Sequence, residues 1–173
     1  YLTKPLGVGI LSTAQKRKLL KPEHASIARD SMCRLNDIGA LISPLPGVSA
    51  LTDVTGFGLL GHLSEICEGS GVGATIEFNA VPLLEAVDEY LSLGATPGGT
   101  DRNFASYGDK IAPMTDAQRN LLCDPQTSGG LLAAVEPEAE NEFLRITRGA
   151  GLDLKPIGEL VEFAVEQPMI HVR

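Results

Sequence analysis

Glycine and proline divide this chain into short segments, and this division limits the folds open to it. The 173 residues include 19 glycines and 11 prolines, many of them clustered, as at 44–47, 56–58 and 97–99. Between the clusters, segments with helical periodicity alternate with segments typical of strands. Alternating helices and strands pack as layers. We therefore predict an α+β fold in which helices cover a mixed β-sheet, formed by residues 1–173 as a single domain.

Six segments are predicted as strands and six as helices. The last two predicted strands could pair antiparallel. Segment 95–113 is predicted to be a long loop, and loops of that length are often functional. The predicted strands are 6–11, 48–54, 74–78, 131–135, 154–161 and 169–172, and the predicted helices are 12–20, 22–38, 59–68, 82–91, 115–123 and 137–148.

Charge and composition exclude several classes of function. Fourteen Lys and Arg against 22 Asp and Glu give a net charge of −8, which argues against nucleic acid as a partner. No apolar run approaches the ~20 residues that cross a bilayer, so no membrane association is expected. The three widely spaced cysteines are expected to be reduced and to pack in the core as small residues. Reduced thiols in turn favour a cytoplasmic protein.

Segment 51–62 carries the strongest chemical signal. A strand ends in Asp53, a turn follows through Gly56 and Gly58, and a helix begins. Glycines let backbone N–H groups approach an anion, and a helix N-terminus adds partial positive charge. Because Asp53 would repel a bare phosphate, a divalent cation such as Mg²⁺ would have to join them. Asp53 is then a metal ligand, with Thr55, Gly56 and Gly58 next to phosphate; alternatively, Asp53 only caps a tight turn.

The same segment also matches a dinucleotide-binding pattern. Residues 56–61 read Gly-x-Gly-x-x-Gly after a strand, and Glu77 lies 21 residues beyond Gly56, where a ribose-binding acid would stand. Asp53 argues against this interpretation, because it would face a pyrophosphate bound without metal. No Walker A motif is present in the sequence.

Two further glycine-containing segments leave alternatives open. Segment 94–103 has a Pro-Gly-Gly turn followed by Arg102, which could contact phosphate, although its composition favours a solvated surface loop. Segment 124–130 precedes a buried strand, and its Ser128 does not lie in a Gly-x-Ser-x-Gly nucleophile motif. The histidines lack metal-ligand spacing, so capping or packing roles are expected for His24, His62 and His171.

Four motifs in register resemble one enzyme family. They are Lys-Pro-Glu-His at 21–24, Leu-Thr-Asp-Val-Thr-Gly-Phe-Gly at 51–58, Pro-Gly-Gly-Thr at 97–100 with Arg102 and Asn103, and Asp-Pro-Gln-Thr-Ser-Gly-Gly at 124–130. Together they are similar to the C-terminal half of the selenophosphate synthetases (selenide, water dikinases). The wider superfamily includes aminoimidazole ribonucleotide synthetase, so the resemblance implies the fold of that enzyme's C-terminal domain.

The resemblance implies an activity shared with a missing N-terminal domain. ATP, selenide and water would yield selenophosphate, AMP and phosphate, with Mg²⁺, in an enzyme expected to be a homodimer. The family's Cys or selenocysteine nucleophile belongs to the N-terminal domain, so no catalytic residue is expected here and the fragment alone should be inactive. Residues 1–5 would be the linker from that ATP-binding domain, and Asp53 matches a family aspartate that reaches the shared magnesium–phosphate site.

Two other functions remain open. One is a non-catalytic module of the same fold that binds an anion or a partner. The other is a related ATP-dependent member of the superfamily, such as aminoimidazole ribonucleotide synthetase.

Overall fold

The computed structural model describes residues 1–164 and 166–173. Within these residues the chain forms eight α-helices and five β-strands. The helices are α1 (Val8–Lys16), α2 (Ile27–Cys33), α3 (Gly39–Ile42), α4 (Gly58–Ser70), α5 (Val87–Ser92), α6 (Gly98–Tyr107), α7 (Asp116–Leu122) and α8 (Glu140–Gly149). The strands are β1 (Val48–Asp53), β2 (Val72–Ile76), β3 (Leu131–Val135), β4 (Gly158–Glu162) and β5 (Ile170–Val172).

Strands β1 and β3 form a two-stranded antiparallel sheet in which Asp53 stands opposite Leu131. The other edge of β3 is occupied by the first residues of the chain. The N–H of Thr3 donates to the Leu131 carbonyl at 3.0 Å, and Leu2 forms a bridge with Leu132. The sequence predicts a linker at 1–5, whereas Leu2 and Lys4 are 2% and 3% exposed. This segment is therefore part of the packed fold.

The second sheet is mixed, as predicted, and has the strand order β4-β2-β5. β4 runs antiparallel to β2, and β5 runs parallel to it. The prediction that the last two strands could pair with each other is wrong, because β2 lies between them. Each of them satisfies one edge of β2 instead.

The helix predicted at 22–38 is interrupted, since α2 spans only Ile27–Cys33. Three further assignments are wrong for identifiable physical reasons. Segment 6–11 is predicted as a strand but enters helix α1, whose first N–H groups are capped by the side chain of the distant Gln126. The predicted loop 95–113 contains α6, in which two of the three buried residues, Thr100 and Asn103, are polar and interrupt the apolar stripe. The predicted helix at 82–91 begins only at Val87, because the preceding residues are extended alongside the segment at Leu6.

Helix α4 packs against both sheets and places the turn before it. Its buried side chains belong to the main apolar core, together with residues from β1's end, β2, β3 and β5. Since α4 is fixed by this core, the turn that joins β1 to α4 is held at a defined position. The α4 residues in this core are Leu59, Leu60, Leu63 and Cys67.

Candidate functional site

The turn between β1 and α4 directs two polar side chains to the same side. Asp53 is exposed, Val54 is fully buried and Thr55 is half-buried. The N–H of Val54 donates to the Gly130 carbonyl at 2.8 Å, so strand-like pairing continues past β1. In extended backbone, residues two apart lie on one face. Asp53 and Thr55 therefore lie on one face of the chain, opposite the buried Val54.

Hydrogen bonds from three parts of the chain hold this turn. The Thr55 carbonyl accepts from the N–H groups of Gly58 and Gln126, both at 3.0 Å. The Asn103 side-chain amide donates to the Gly56 carbonyl at 2.7 Å. The Tyr107 hydroxyl donates to the Phe57 carbonyl at 2.7 Å. The turn is therefore rigidly supported by α6 and by the loop at 124–130.

The two glycines of the turn have different physical explanations. Gly58 has φ +73°, and a Cβ there would lie 2.8 Å from the carbonyl carbon of Cys123, so the fold itself requires glycine. A Cβ on Gly56 would meet nothing within 4 Å, and Gly56 has no positive φ. The N–H of Gly58 is already engaged with Thr55. Open approach to the backbone is thus available at Gly56 rather than at Gly58.

The Asp53 carboxylate is available for a ligand. It is exposed, and within residues 1–164 and 166–173 neither a hydrogen bond nor an ion pair engages its oxygens. Helix α4 has no side-chain cap, so Asp53 does not act as its N-cap. No group of three or more His, Cys, Asp or Glu among the described residues could hold a metal. The chain fits Mg²⁺ as the supplier of one carboxylate, since this ion commonly completes its shell with phosphate and water.

A chain of hydrogen bonds behind Thr55 was missed by the sequence analysis. His62 Nε2 lies 3.0 Å from Thr55 Oγ1, and His62 Nδ1 lies 3.0 Å from Glu65 Oε2. His62 is only 7% exposed. His62 therefore does more than the expected packing, because its two ring nitrogens link Thr55 to Glu65. The spacing of His62 and Glu65 across one helical turn was visible in the sequence, but the contact with Thr55 depends on the turn.

The motif at 124–130 contacts both the turn and the N-terminus of α1. Gln126 Oε1 accepts from the N–H groups of Gly7 and Val8, both at 3.2 Å, and so caps α1. Asp124 is fully buried, and its burial raises the pKa of the carboxyl from 3.8 to about 7. Hydrogen bonds that favour the charged form, from Gln126 and the start of α1, oppose that shift. This motif therefore joins the turn to α1.

The segment at 97–103, which contains Arg102, packs against the motif at 124–130. An Arg102 guanidinium nitrogen lies 3.7 Å from the position that a Cβ on Gly98 would take, so the guanidinium group lies over the N-terminus of α6. A Cβ on Gly99 would lie 2.7 Å from the Pro125 ring. The motifs at 51–58, 97–103 and 124–130 are thus brought together. The fourth motif, at 21–24, packs on α5 instead, where His24 Nδ1 lies 2.7 Å from the Tyr90 hydroxyl.

The dinucleotide-binding interpretation lacks its structural context. β1 and β2, which flank the Gly-x-Gly-x-x-Gly segment, belong to different sheets, so they do not form a βαβ unit. The three cysteines are free; Cys33 is exposed, while Cys67 and Cys123 are buried. None of the helices in the described part of the chain has the length and apolar content needed to cross a membrane.

Comparison with solved structures defines the fold class. The chain resembles the Escherichia coli hydrogenase maturation protein HypE with a TM-score of 0.65 and 22% identity, over 99% of this chain and 44% of that one. It also resembles thiamine-monophosphate kinase from Stenotrophomonas maltophilia, with a TM-score of 0.59 and 14% identity, over 99% and 48% of the two chains. At these identities the likeness establishes the fold, which is the one predicted.

Residues 1–168 match the model of the AIR synthase related protein, C-terminal domain, and the chain belongs to this family. It is 64% identical over 160 residues to the selenide, water dikinase of Aeromonas hydrophila, covering 92% of this chain and 46% of that protein. It is 56% identical to the same enzyme from Escherichia coli O157:H7, over all of this chain and 50% of the relative. The predicted resemblance to the selenophosphate synthetases is confirmed. The chain spans about half the length of these relatives.

Proposed function

We propose that this chain is the C-terminal half of a selenide, water dikinase and supplies Asp53 to a magnesium–phosphate site completed by the rest of the enzyme. The reaction would convert ATP, selenide and water into selenophosphate, AMP and phosphate. The observation that carries the proposal is the exposed and unengaged carboxylate of Asp53, held beside the open backbone of Gly56. The similarity to the dikinases over the whole chain supports it.

Three residues at the turn have distinct roles in this proposal. Asp53 would bind Mg²⁺, and bound Mg²⁺ would neutralise charge on the phosphates, which is the main demand of phosphoryl transfer. Gly56 would let a phosphate oxygen approach the backbone closely. Gly58, predicted to lie next to phosphate, would instead fix the shape of the turn, because its N–H bonds to Thr55.

The remaining parts of the proposal rest on similarity to the dikinases. The catalytic nucleophile and the ATP-binding groups would belong to the other half of the protein, so this chain alone should not form AMP. The full-length enzyme would be a cytoplasmic homodimer.

The test is Asp53→Asn in the full-length enzyme. Asparagine keeps the size and one carbonyl oxygen but removes the charge that Mg²⁺ prefers. We expect an unchanged melting temperature, a loss of most AMP and selenophosphate formation, and partial recovery at raised Mg²⁺. The matched control is Asp109→Asn, which neutralises another exposed aspartate away from the turn. Full activity in Asp53→Asn would exclude the metal role.

A further inference from the structure

The proton positions along Thr55, His62 and Glu65 follow from their hydrogen-bonding capacity. An ionised carboxylate can only accept, so Glu65 requires a proton on His62 Nδ1, 3.0 Å away. A neutral imidazole that carries its proton on Nδ1 has a bare Nε2, which accepts. The group within reach of Nε2 is the Thr55 hydroxyl at 3.0 Å. When the imidazole is neutral, Thr55 therefore donates its proton to His62.

This arrangement determines whether the Thr55 hydroxyl can donate or accept toward a ligand. Because the hydroxyl proton points to the imidazole, the lone pairs of Oγ1 are left for another partner. Thr55 is half-buried, so part of its side chain remains open on the face shared with Asp53. Oxygen lone pairs bind cations, and hydroxyl oxygens beside an aspartate bind Mg²⁺ in P-loop enzymes. Such an oxygen cannot at the same time donate to a phosphate.

We infer that Thr55 Oγ1 is a second oxygen ligand for the divalent cation held by Asp53, and that His62 and Glu65 are positioning residues that keep its proton turned away. This inference rests on the proposed function, since it takes the cation from there. It makes Thr55, which was predicted to lie next to phosphate, a metal ligand. His62 is suited to positioning because α4 and the surrounding core hold it nearly buried.

The inference is tested by metal binding in the full-length enzyme at pH 8, where histidine side chains are generally neutral. Mn²⁺ is used as the probe with a non-hydrolysable ATP analogue, and free Mn²⁺ is measured by electron paramagnetic resonance. Thr55→Val, which keeps the shape and removes the hydroxyl, should weaken Mn²⁺ binding about tenfold. Thr55→Ser should restore it. The control is Thr52→Val, which removes the hydroxyl of a neighbouring threonine on β1.

The positioning residues are tested in the same assay. His62→Leu should weaken Mn²⁺ binding several-fold, and His62→Gln, which keeps an acceptor near the Nε2 position, should recover most of it. In kinetics, these changes should raise the Mg²⁺ concentration needed for half-maximal AMP formation and leave the KM for ATP unchanged. A purely structural His62 would instead lower the melting temperature without this change in metal dependence.

The outcomes separate this inference from the proposed function. If Asp53→Asn weakens Mn²⁺ binding and Thr55→Val does not, the Thr55 inference is wrong and the proposed function stands. If Thr55→Val raises the KM for ATP while Mn²⁺ binding is unchanged, Thr55 is a phosphate donor and the inference is also wrong. If Asp53→Asn leaves Mn²⁺ binding and activity intact, the proposed function fails.

Discussion

The Asp124 carboxylate accepts a hydrogen bond from the backbone N–H of Gly9 at 3.1 Å, so a side chain just before β3 caps the first turn of α1. The same carboxylate oxygen accepts from Gln126 Nε2 at 2.7 Å. The other oxygen has no hydrogen-bond partner within the described residues. A single buried carboxyl therefore connects the loop at 124–130 to the N-terminus of α1.

This buried carboxyl should make the stability of the protein depend on pH. The pKa of Asp124 is about 7 in the folded protein and near 3.8 when unfolded, so the unfolded chain ionises first. Its stabilising contribution is complete below pH 4 and is lost as the pH rises to 7. Asp124→Asn resembles the protonated acid, and the difference in unfolding free energy from wild type should change by a few kcal/mol between pH 4 and pH 8.

Urea unfolding across that pH range measures this difference. The control is Asp109→Asn, which changes an exposed aspartate and should give a nearly constant difference. A constant difference for Asp124→Asn as well would mean that the buried carboxyl keeps its ordinary pKa.

The two glycines of the turn should respond differently to alanine. Gly58→Ala places a Cβ against the Cys123 backbone at positive φ and should destabilise the fold by about 2–4 kcal/mol. Gly56→Ala meets open space, so it should change stability by less than about 0.5 kcal/mol and yet reduce AMP formation in the full-length enzyme. Thermal unfolding and the activity assay, run on both variants, check this contrast. Equal stability losses would contradict it.

The Asn103 side chain should be needed for the shape of the turn. It donates to the carbonyls of Gly56 at 2.7 Å and Cys123 at 3.0 Å. Asn103→Ala leaves these carbonyls without their donor and should cost about 2 kcal/mol. Asn141→Ala, on the exposed face of α8, should cost little. Chemical denaturation compares the two, and a similar small effect for both would show that the turn holds its shape without Asn103.

One of the three thiols should react quickly in the folded chain. Burial raises the pKa of Cys67 to about 11 and also raises that of Cys123, whereas Cys33 is exposed. Since the thiolate is the reactive form, a disulfide reagent at pH 8 should modify Cys33 alone before unfolding. Cys33→Ser should abolish the fast reaction. Rapid labelling that persists in this variant would place another thiol at the surface.

The sequence predicted the parts of the molecule that depend on local pattern. Strands β1 and β3 and helix α4 follow from apolar periodicity, and the turn after Asp53 follows from its glycines. It placed the start of α1 at residue 12 rather than Val8, because the Gln126 side chain that caps this helix lies more than a hundred residues away along the chain. It did not predict α6, because two of the three buried residues of that helix, Thr100 and Asn103, are polar and interrupt the apolar stripe.

The candidate site shows the same division. Asp53 and Gly56 were identified from local residue types. The connection of Thr55 to His62 was not, because it spans seven residues across a turn whose shape depends on contacts with Gln126 and Asn103. Hydrogen bonds between distant segments therefore limit what one sequence reveals.

The position of β2 between β4 and β5 has a consequence for how the chain acquires its structure. β2 ends at Ile76, but both strands that pair with it lie within residues 158–172. Contacts between residues so far apart form late and slow folding. Until residues 158–172 have been synthesised, both edges of β2 lack their partners, and unpaired edges bind readily to other chains. Between the synthesis of Ile76 and that of β4 and β5, the edges of β2 are therefore open to pairing with another chain.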